Sequence, residues 1–387
     1  MEYRKRTLEA ELIRSATAFS ACIVTGPRRS GKTTLLRHCF PSASYVLLEE
    51  PDVIDRVRSD PRGFLEELGR PAILDEIQNT PELLNYIRAE IDRTPEQKGH
   101  WFLTGSQEAA VMRGVTESMA GRAAIFQLLP FSYSEESAVS LLKGGFPEVI
   151  ARPATRDIWF SSYIQTYLER DVRAVLSIKD LATFRRFLAL LATRIGQGLN
   201  KTALAGPIGV SVPTITEWLG VLEITAQILL VPPFFENFGK RITKAPKVYF
   251  CDSGLAAHLL GIETEASLTK SPFLGPLFEG LVASEIVKEQ IHHGKSKAIY
   301  HFRDRQGLEV DFIVPRGGKR LTLIEAKATR TPRSSMAKPL LQLLDVIDKH
   351  QREAYVVHQK ANSDMVTLTL APGVKAIPWT KMKPVIL

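Results

Sequence analysis

The chain has 387 residues, 44% of them hydrophobic and 24% charged, and carries a formal charge of +8 with a sequence pI near 9.3. That length suits two or three domains, each with its own core, and the composition is that of a globular protein. No apolar run approaches the ~20 residues of a membrane span. The charged start Met1–Arg6 leads into no signal-peptide core, and the scattered Cys22, Cys39 and Cys251 form no metal-ligand pair, so a reduced cytoplasm fits best. The basic balance permits a polyanionic partner such as DNA without requiring one.

In chain order, Ala21-Cys22-Ile23-Val24 reads as a buried parallel strand, and Thr34–His38 as the first turns of a helix. Between them, Gly26-Pro27-Arg28-Arg29-Ser30-Gly31-Lys32-Thr33 fits the phosphate-loop pattern G-x-x-x-x-G-K-[ST] at every fixed position. Gly26 and Gly31 permit backbone angles that a Cβ disfavours. The N–H groups from Gly26 to Thr34 and the helix N-terminus would face the phosphates of ATP. Lys32 would reach the β- and γ-phosphates, and the Thr33 hydroxyl would coordinate Mg²⁺.

A second strand, Pro71-Ala72-Ile73-Leu74, ends in Asp75-Glu76. Asp75 is expected in the Mg²⁺ shell, with Glu76 polarising the attacking water. A third strand, His100–Gln107, presents Thr104 and Ser106 where a sensor of the γ-phosphate would stand. Arg122 precedes a fourth strand, Ala123–Leu128. It reads either as an arginine finger reaching a neighbour's nucleotide or as a plain surface arginine. Strands alternating with helices imply a three-layer α/β domain with a parallel sheet over residues 1–150, its ligand at the carboxyl ends of the strands.

The combination of GPRRSGKTT, AILDEIQ, FLTGSQ, AGR-x5-LLPFSYSE and GGFPEV resembles prokaryotic ATPases of the AAA+ superfamily that carry an additional C-terminal region. The resemblance continues through Tyr163–Val172 and Lys247–Leu255, so it covers nearly the whole chain. It implies ATP and Mg²⁺ as cofactors and a homo-oligomer such as a ring or hexamer. It also implies a contact of Pro147, in Gly145-Phe146-Pro147, with the adenine base. It extends to signalling ATPases that use hydrolysis to release a conformation.

Residues 151–265 change to helices: Ile158–Val175, Leu181–Ile195, a short helix capped by Asn200, a turn at Gly206–Val210, and Val212–Leu222 capped by Ser211. This is a helix-turn-helix pattern. With the strands Ala226–Pro232 and Ala245–Cys251 it looks like a winged helix, as the resemblance also implies. Residues 152–252 hold thirteen Lys/Arg against eight Asp/Glu. The recognition helix offers Thr214, Thr216 and Glu217 but no arginine, which argues against reading base edges. Lys240, Arg241, Lys244 and Lys247 are the expected DNA-backbone contacts. A winged helix that only joins two domains is the other reading.

Residues 266–387 open with a helix around Phe278–Val287, followed by strands Ile299–Arg303, Leu308–Val314 and Leu321–Lys327. Asp311 and Glu325-Ala326-Lys327 fit the PD-(D/E)xK nuclease pattern. Residues two apart on a strand share a face, so Glu325 and Lys327 project together. Asp311 and Glu325 could hold Mg²⁺ while Lys327 stabilises developing charge, and Glu279 matches the helical fourth acid of nucleases of this fold. A hairpin with solvated acids and lysine would leave the same letters. A restriction-endonuclease-like α/β domain is expected, with a helix and two further strands (Glu353–His358, Met365–Leu370) completing it. The expected whole is an ATP-hydrolysing machine on duplex or branched DNA. The alternative is a nucleotide switch whose last domain is a protein-binding platform.

Overall fold

The computed structural model describes residues 3–105, 119–168, 181–234, 245–347, 350–359 and 367–387. Five strands form the first sheet among them: β1 (Ala21–Thr25), β2 (Ser44–Leu47), β3 (Ala72–Asp75), β4 (Trp101–Thr104) and β5 (Ala123–Gln127). They lie in the order β2-β3-β4-β1-β5, all parallel. Successive side chains of β1 point to opposite faces, and two cores result. Ala21 and Ile23 join Leu74, Leu103 and Ile87 on one face, whereas Cys22 and Val24 join Leu12, Leu36, Ile73 and Phe102 on the other. Helices α1 (Glu9–Ala16) and α2 (Lys32–Cys39) cover the second face. Helices α3 (Pro51–Ser59), α4 (Pro61–Glu67) and α5 (Leu83–Arg93) cover the first. The expected three-layer parallel sheet is present. Strand β2, at the sheet edge, was not anticipated.

The helices that follow are α6 (Pro147–Ala151), α7 (Arg156–Tyr163), α8 (Leu181–Ala192), α9 (Lys201–Ile208) and α10 (Val212–Ile224). Asn200 and Ser211 cap α9 and α10, accepting from the N–H groups of Ala203 and Thr214. The turn expected at Gly206–Val210 begins later, because α9 runs through Pro207 and ends at Gly209, whose φ is 78°. Past Tyr163 the expected helix widens into a π-type turn at Ile164–Leu168. Strands β6 (Ile228–Val231) and β7 (Lys247–Phe250) pair antiparallel, and α11 (Ser253–Leu259) and α12 (Glu265–Lys270) come next.

The long helix α13 (Leu274–His292) leads into β8 (Tyr300–Arg303), β9 (Glu309–Pro315) and β10 (Arg320–Lys327). Then come α14 (Lys338–Val346), β11 (Gln351–His358), β12 (Leu368–Ala371), the unanticipated β13 (Val374–Pro378), and α15 (Lys383–Ile386). These strands form a mixed sheet in the order β12-β13-β11-β10-β9-β8. One face packs under α14 through Val310, Leu323 and Leu340. The other face, with Phe312, Ile324 and Val357, shares a continuous apolar core with α13, Trp218 and Tyr249. The middle helices and the last sheet are therefore bound by one buried interior; each fully buried Leu or Phe there contributes roughly 1.5–3 kcal/mol. No helix among the described residues is long and apolar enough to cross a membrane.

Candidate nucleotide site and carboxylate cluster

The phosphate loop leaves β1 and enters α2, so the first N–H groups of α2 open toward it. Gly26 has φ 140°, and a Cβ there would lie 2.2 Å from the Leu128 carbonyl oxygen, so only glycine fits. Gly31 caps α2 with φ 98°. Lys32 is buried and donates to the carbonyl oxygens of Gly26 at 3.2 Å and Pro27 at 3.0 Å. The Ser30 hydroxyl is buried in the same loop with no hydrogen-bond partner among the described residues, a donor left over for a bound anion.

Thr33 donates its hydroxyl to both oxygens of Asp75, at 3.0 and 2.9 Å. Thr104 donates to Asp75 and accepts from the Glu76 N–H at 3.1 Å. The ends of β3 and β4 and the first turn of α2 thus converge on one carboxylate. Glu76 sits in the left-handed region at φ 60° and ψ 50°, a conformation uncommon for a side-chain-bearing residue and frequent at functional sites. Its carboxylate is met by the Gln78 amide and lies 3.9 Å from the Arg28 guanidinium of the loop. Tyr45, on the unanticipated β2, donates to Asp75 at 2.8 Å; its signal was hidden in a short edge strand.

The donor set fits Mg²⁺·ATP: a hydroxyl and a carboxylate, both hard oxygen ligands, stand together beside an amine and a ring of N–H groups. Lys32, Thr33 and Asp75 would hold it. Beside the loop a cavity of about 280 Å³ is lined by Tyr3, Arg4, Arg6, Thr34, Phe131 and Pro147 among others. Pro147 comes there because Gly145 lies against Phe131: Phe131 N–H donates to Gly145 O at 2.8 Å, and a Cβ on Gly145 would sit 2.2 Å from Phe131 O. Asp252 accepts from Gly145 N–H at 2.7 Å and fixes this element from the middle region. Tyr3 stacks on His38 with ring centroids 3.6 Å apart. Arg29, exposed, lies 3.4 Å from Glu148.

Nothing in the sequence pointed to Arg6. It is buried, lies over the Phe131 ring at 4.5 Å, and donates to Ser30 O at 2.9 Å and Leu129 O at 2.6 Å. Its Nε is 3.2 Å from Glu135. Glu135 in turn faces Nδ1 of His292 on α13 at 3.2 Å, and His292 Nε2 accepts from Leu129 N–H. That acceptor role puts the ring proton on Nδ1, toward Glu135. Burial holds the His292 imidazole below its usual range, and it stays neutral. Burial works against the charge of Glu135, but the neighbouring imidazole and the Arg6 guanidinium hold its carboxyl well below the usual range. A buried polar chain therefore runs from the phosphate loop to α13.

Arg122 stands at the start of β5, where Ala123 pairs with Ala21 at the start of β1. This is the rim opposite the phosphate loop, and there Arg122 donates twice to Asp92, at 2.6 and 3.0 Å. It does not face the loop of its own chain.

Glu279 from α13, Asp311 from β9, and Glu325 and Lys327 from β10 do converge. Lys327 donates to Glu325 at 2.6 Å, and Asp311 accepts from Ala326 N–H at 2.9 Å. Burial, reinforced by Asp311, pushes Glu325 up to about 8 and Glu279 up to about 7. Lys247 requires a correction. Expected as a surface contact to DNA, it is only 3% exposed and inserts into this cluster. Its ammonium lies 2.6 Å from Glu309, 2.9 Å from Glu279 and 3.5 Å from Asp311. Burial opposes its charge, yet Glu279, Asp311 and Glu309 together hold the ammonium well above its ordinary range. Lys247 stands among the carboxylates expected to hold a metal ion, Glu279 and Asp311, and among the described residues no group of three or more His, Cys, Asp or Glu side chains is set to hold one. Two ammonium groups, those of Lys247 and Lys327, already lie among the cluster's carboxylates. Lys240, Arg241 and Lys244 lie outside the described residues. In α10, Thr216 turns its hydroxyl back to Val212 O at 3.0 Å, and Ser211 and Thr214 bond each other.

Comparison with known proteins accords with the first half of this picture. An AAA domain model matches residues 18–136, and two domains of unknown function (DUF8612 and DUF4143) match residues 135–266 and 274–382. Uncharacterized protein Rv2008c of Mycobacterium tuberculosis and uncharacterized protein Mb2031c of Mycobacterium bovis are each 31% identical over 340 residues, covering 86% of this chain and 76% of theirs. Two solved structures are slightly similar. The Walker-type ATPase PABY2304 of Pyrococcus abyssi is 18% identical with a TM-score of 0.43, covering 65% of this chain and 94% of that one. A signal transduction ATPase with numerous domains, PH0952 of Pyrococcus horikoshii, is 13% identical with a TM-score of 0.23, covering 74% and 48%. With the AAA match and the phosphate-loop geometry, the first domain is that of a P-loop ATPase.

Proposed function

From the premise that this chain belongs to one family with the two mycobacterial proteins, we propose that it is an AAA-type ATPase acting on DNA. The meeting of Thr33, Asp75 and Thr104 at one rim carries the ATPase part. In this reading Lys32 binds the terminal phosphates, Thr33 and Asp75 orient the ion that neutralises them, and Glu76 takes the proton of the attacking water. A bound Mg²⁺ supplies positive charge against the leaving phosphates. Thr104 fixes both Asp75 and the Glu76 backbone. The Tyr3–Pro147 cavity receives the base.

The net charge of +8 supports a polyanionic partner. The helix–three strands–helix–strand order from α13 to β11 supports the restriction-endonuclease-like reading of the last domain, and the α9–α10 pair with β6 and β7 supports the winged-helix reading. Arg122, on the far rim, would act only on a neighbouring subunit's nucleotide, which a ring or hexamer would permit. The test is ATP turnover with duplex, forked and four-way-junction DNA at low salt. Stimulation by at least one is expected; absence of binding to all three would defeat the DNA part.

The buried chain Ser30–Arg6–Glu135–His292 favours a second reading, a nucleotide switch that passes the state of the loop to α13. A switch would retain nucleotide tightly, turn over slowly and ignore DNA.

A further inference from the structure

The carboxylate cluster of the last domain departs from the metal site its residues imply, and the departure has one cause. Strand β7 puts Lys247 and Tyr249 on one face. Both reach Glu279: the lysine at 2.9 Å, and the tyrosine through its hydroxyl to the same oxygen. Lys247 presents three donors, and three carboxylates surround it. The strand that delivers it is held on two sides. β6 pairs with it along Ile228–Val231. On the other flank, Gly196 N–H donates to Val248 O at 3.0 Å, and Gly198 bridges to Lys247. Gly196 has φ 74°, and a Cβ there would come within 3.1 Å of Glu279. Lys247 is thus seated by backbone pairing, not swung in on a loose arm. Among the described residues, Oε2 of Glu325, in a residue 5% exposed, is buried with no hydrogen-bond partner.

We propose that Lys247 is the resident cation of this cluster. It takes the place a divalent ion would need between Glu279 and Asp311, so the last domain is closed to metal-dependent cleavage while β7 stays docked. The proposal rests on the nuclease-like reading of Asp311, Glu325 and Lys327. Removing the ammonium, and nothing else, should convert the cluster into a divalent-ion site completed by the idle oxygen of Glu325.

The test is Mn²⁺ binding to the full chain without nucleotide, followed by titration calorimetry and by water-proton relaxation. Wild type should show no site that D311N removes. K247M should gain one Mn²⁺ per chain at least ~10-fold tighter than any wild-type binding, the span that loss of a supporting contact commonly changes, and K247M/D311N should lose it. Because K247M leaves carboxylates unbalanced and could fail to fold, K247M/E309Q serves as the second variant; it removes one charge of each sign and keeps Glu279, Asp311 and Glu325. Asp311-dependent Mn²⁺ binding by wild type, equal to that of K247M, would overturn the proposal and leave the nuclease-like reading standing. Folded K247M and K247M/E309Q that both bind no Mn²⁺ would overturn that reading and the proposal with it.

Discussion

Thr33 and Asp75, on different elements of the first domain, meet with the threonine hydroxyl 2.9 Å from the carboxylate. Around that contact Tyr45 and Thr104 donate to the same carboxylate, so Asp75 is oriented from three directions. A carboxylate fixed this way keeps its position when an ion and a triphosphate arrive, which limits the reorganisation that turnover requires.

Glu76 follows Asp75 directly but has a separate role. E76Q should lower ATP turnover by about 10²–10⁴, the usual worth of a positioned base, with ATP affinity within a few-fold of wild type. Steady-state turnover and equilibrium nucleotide binding on the same preparation check this. A large loss of affinity would mean that Glu76 holds the strained turn in place and does not act on water.

Arg6 should matter to stability as well as to nucleotide binding. R6A leaves Glu135 buried beside a neutral imidazole and frees the carbonyls of Ser30 and Leu129. Breaking a buried pair from one side costs about 3–5 kcal/mol. R6A/E135Q should recover part of that, because the stranded charge is gone. Urea unfolding of the two variants measures the difference.

Gly145 has no room for a side chain. G145A drives a Cβ into the Phe131 carbonyl, 2.2 Å away, and should cost at least about 1–3 kcal/mol. It should also displace Pro147 from the base cavity. Thermal melts with and without ATP should show a lower midpoint and a smaller shift on adding nucleotide.

Acid should weaken the last domain through His301. Burial lowers this imidazole from 6.5 to about 4. Its Nε2–H donates to the Ala245 carbonyl oxygen, 3.1 Å away, with Lys247 and Arg303 disfavouring its charge and Glu309 favouring it. Between those two values the unfolded chain holds more protons than the folded one, so stability rises with pH. The contribution is whole above 6.5 and is lost as pH falls through about 4. It is on the order of 3 kcal/mol. Unfolding midpoints of wild type and H301Q across this range should diverge as pH rises.

Much of the nucleotide site was legible because its chemistry is local. The loop from Gly26 to Thr33 is contiguous, and an apolar run ending in Asp75 marks a strand end by itself. Asn200 and Ser211 were legible as caps for the same reason. Lys247 was misread because it follows the basic run Lys240, Arg241, Lys244, and charge runs usually face solvent. The signal against that was the alternation Lys247-Val248-Tyr249 in a strand whose four residues are all buried. Arg6, Tyr45 and His292 carried no local signal at all. Each acquires its role from a partner far along the chain, and only the folded packing shows which one.

The central claim is that Lys32, Thr33 and Asp75 grip a magnesium-bound triphosphate. Calorimetric titration of Mg²⁺·ATP into the full chain, beside K32A of equal fold content, tests it most directly. One saturable site per chain that K32A abolishes is the predicted result; indistinguishable titrations of the two proteins, or no heat from either, would contradict it.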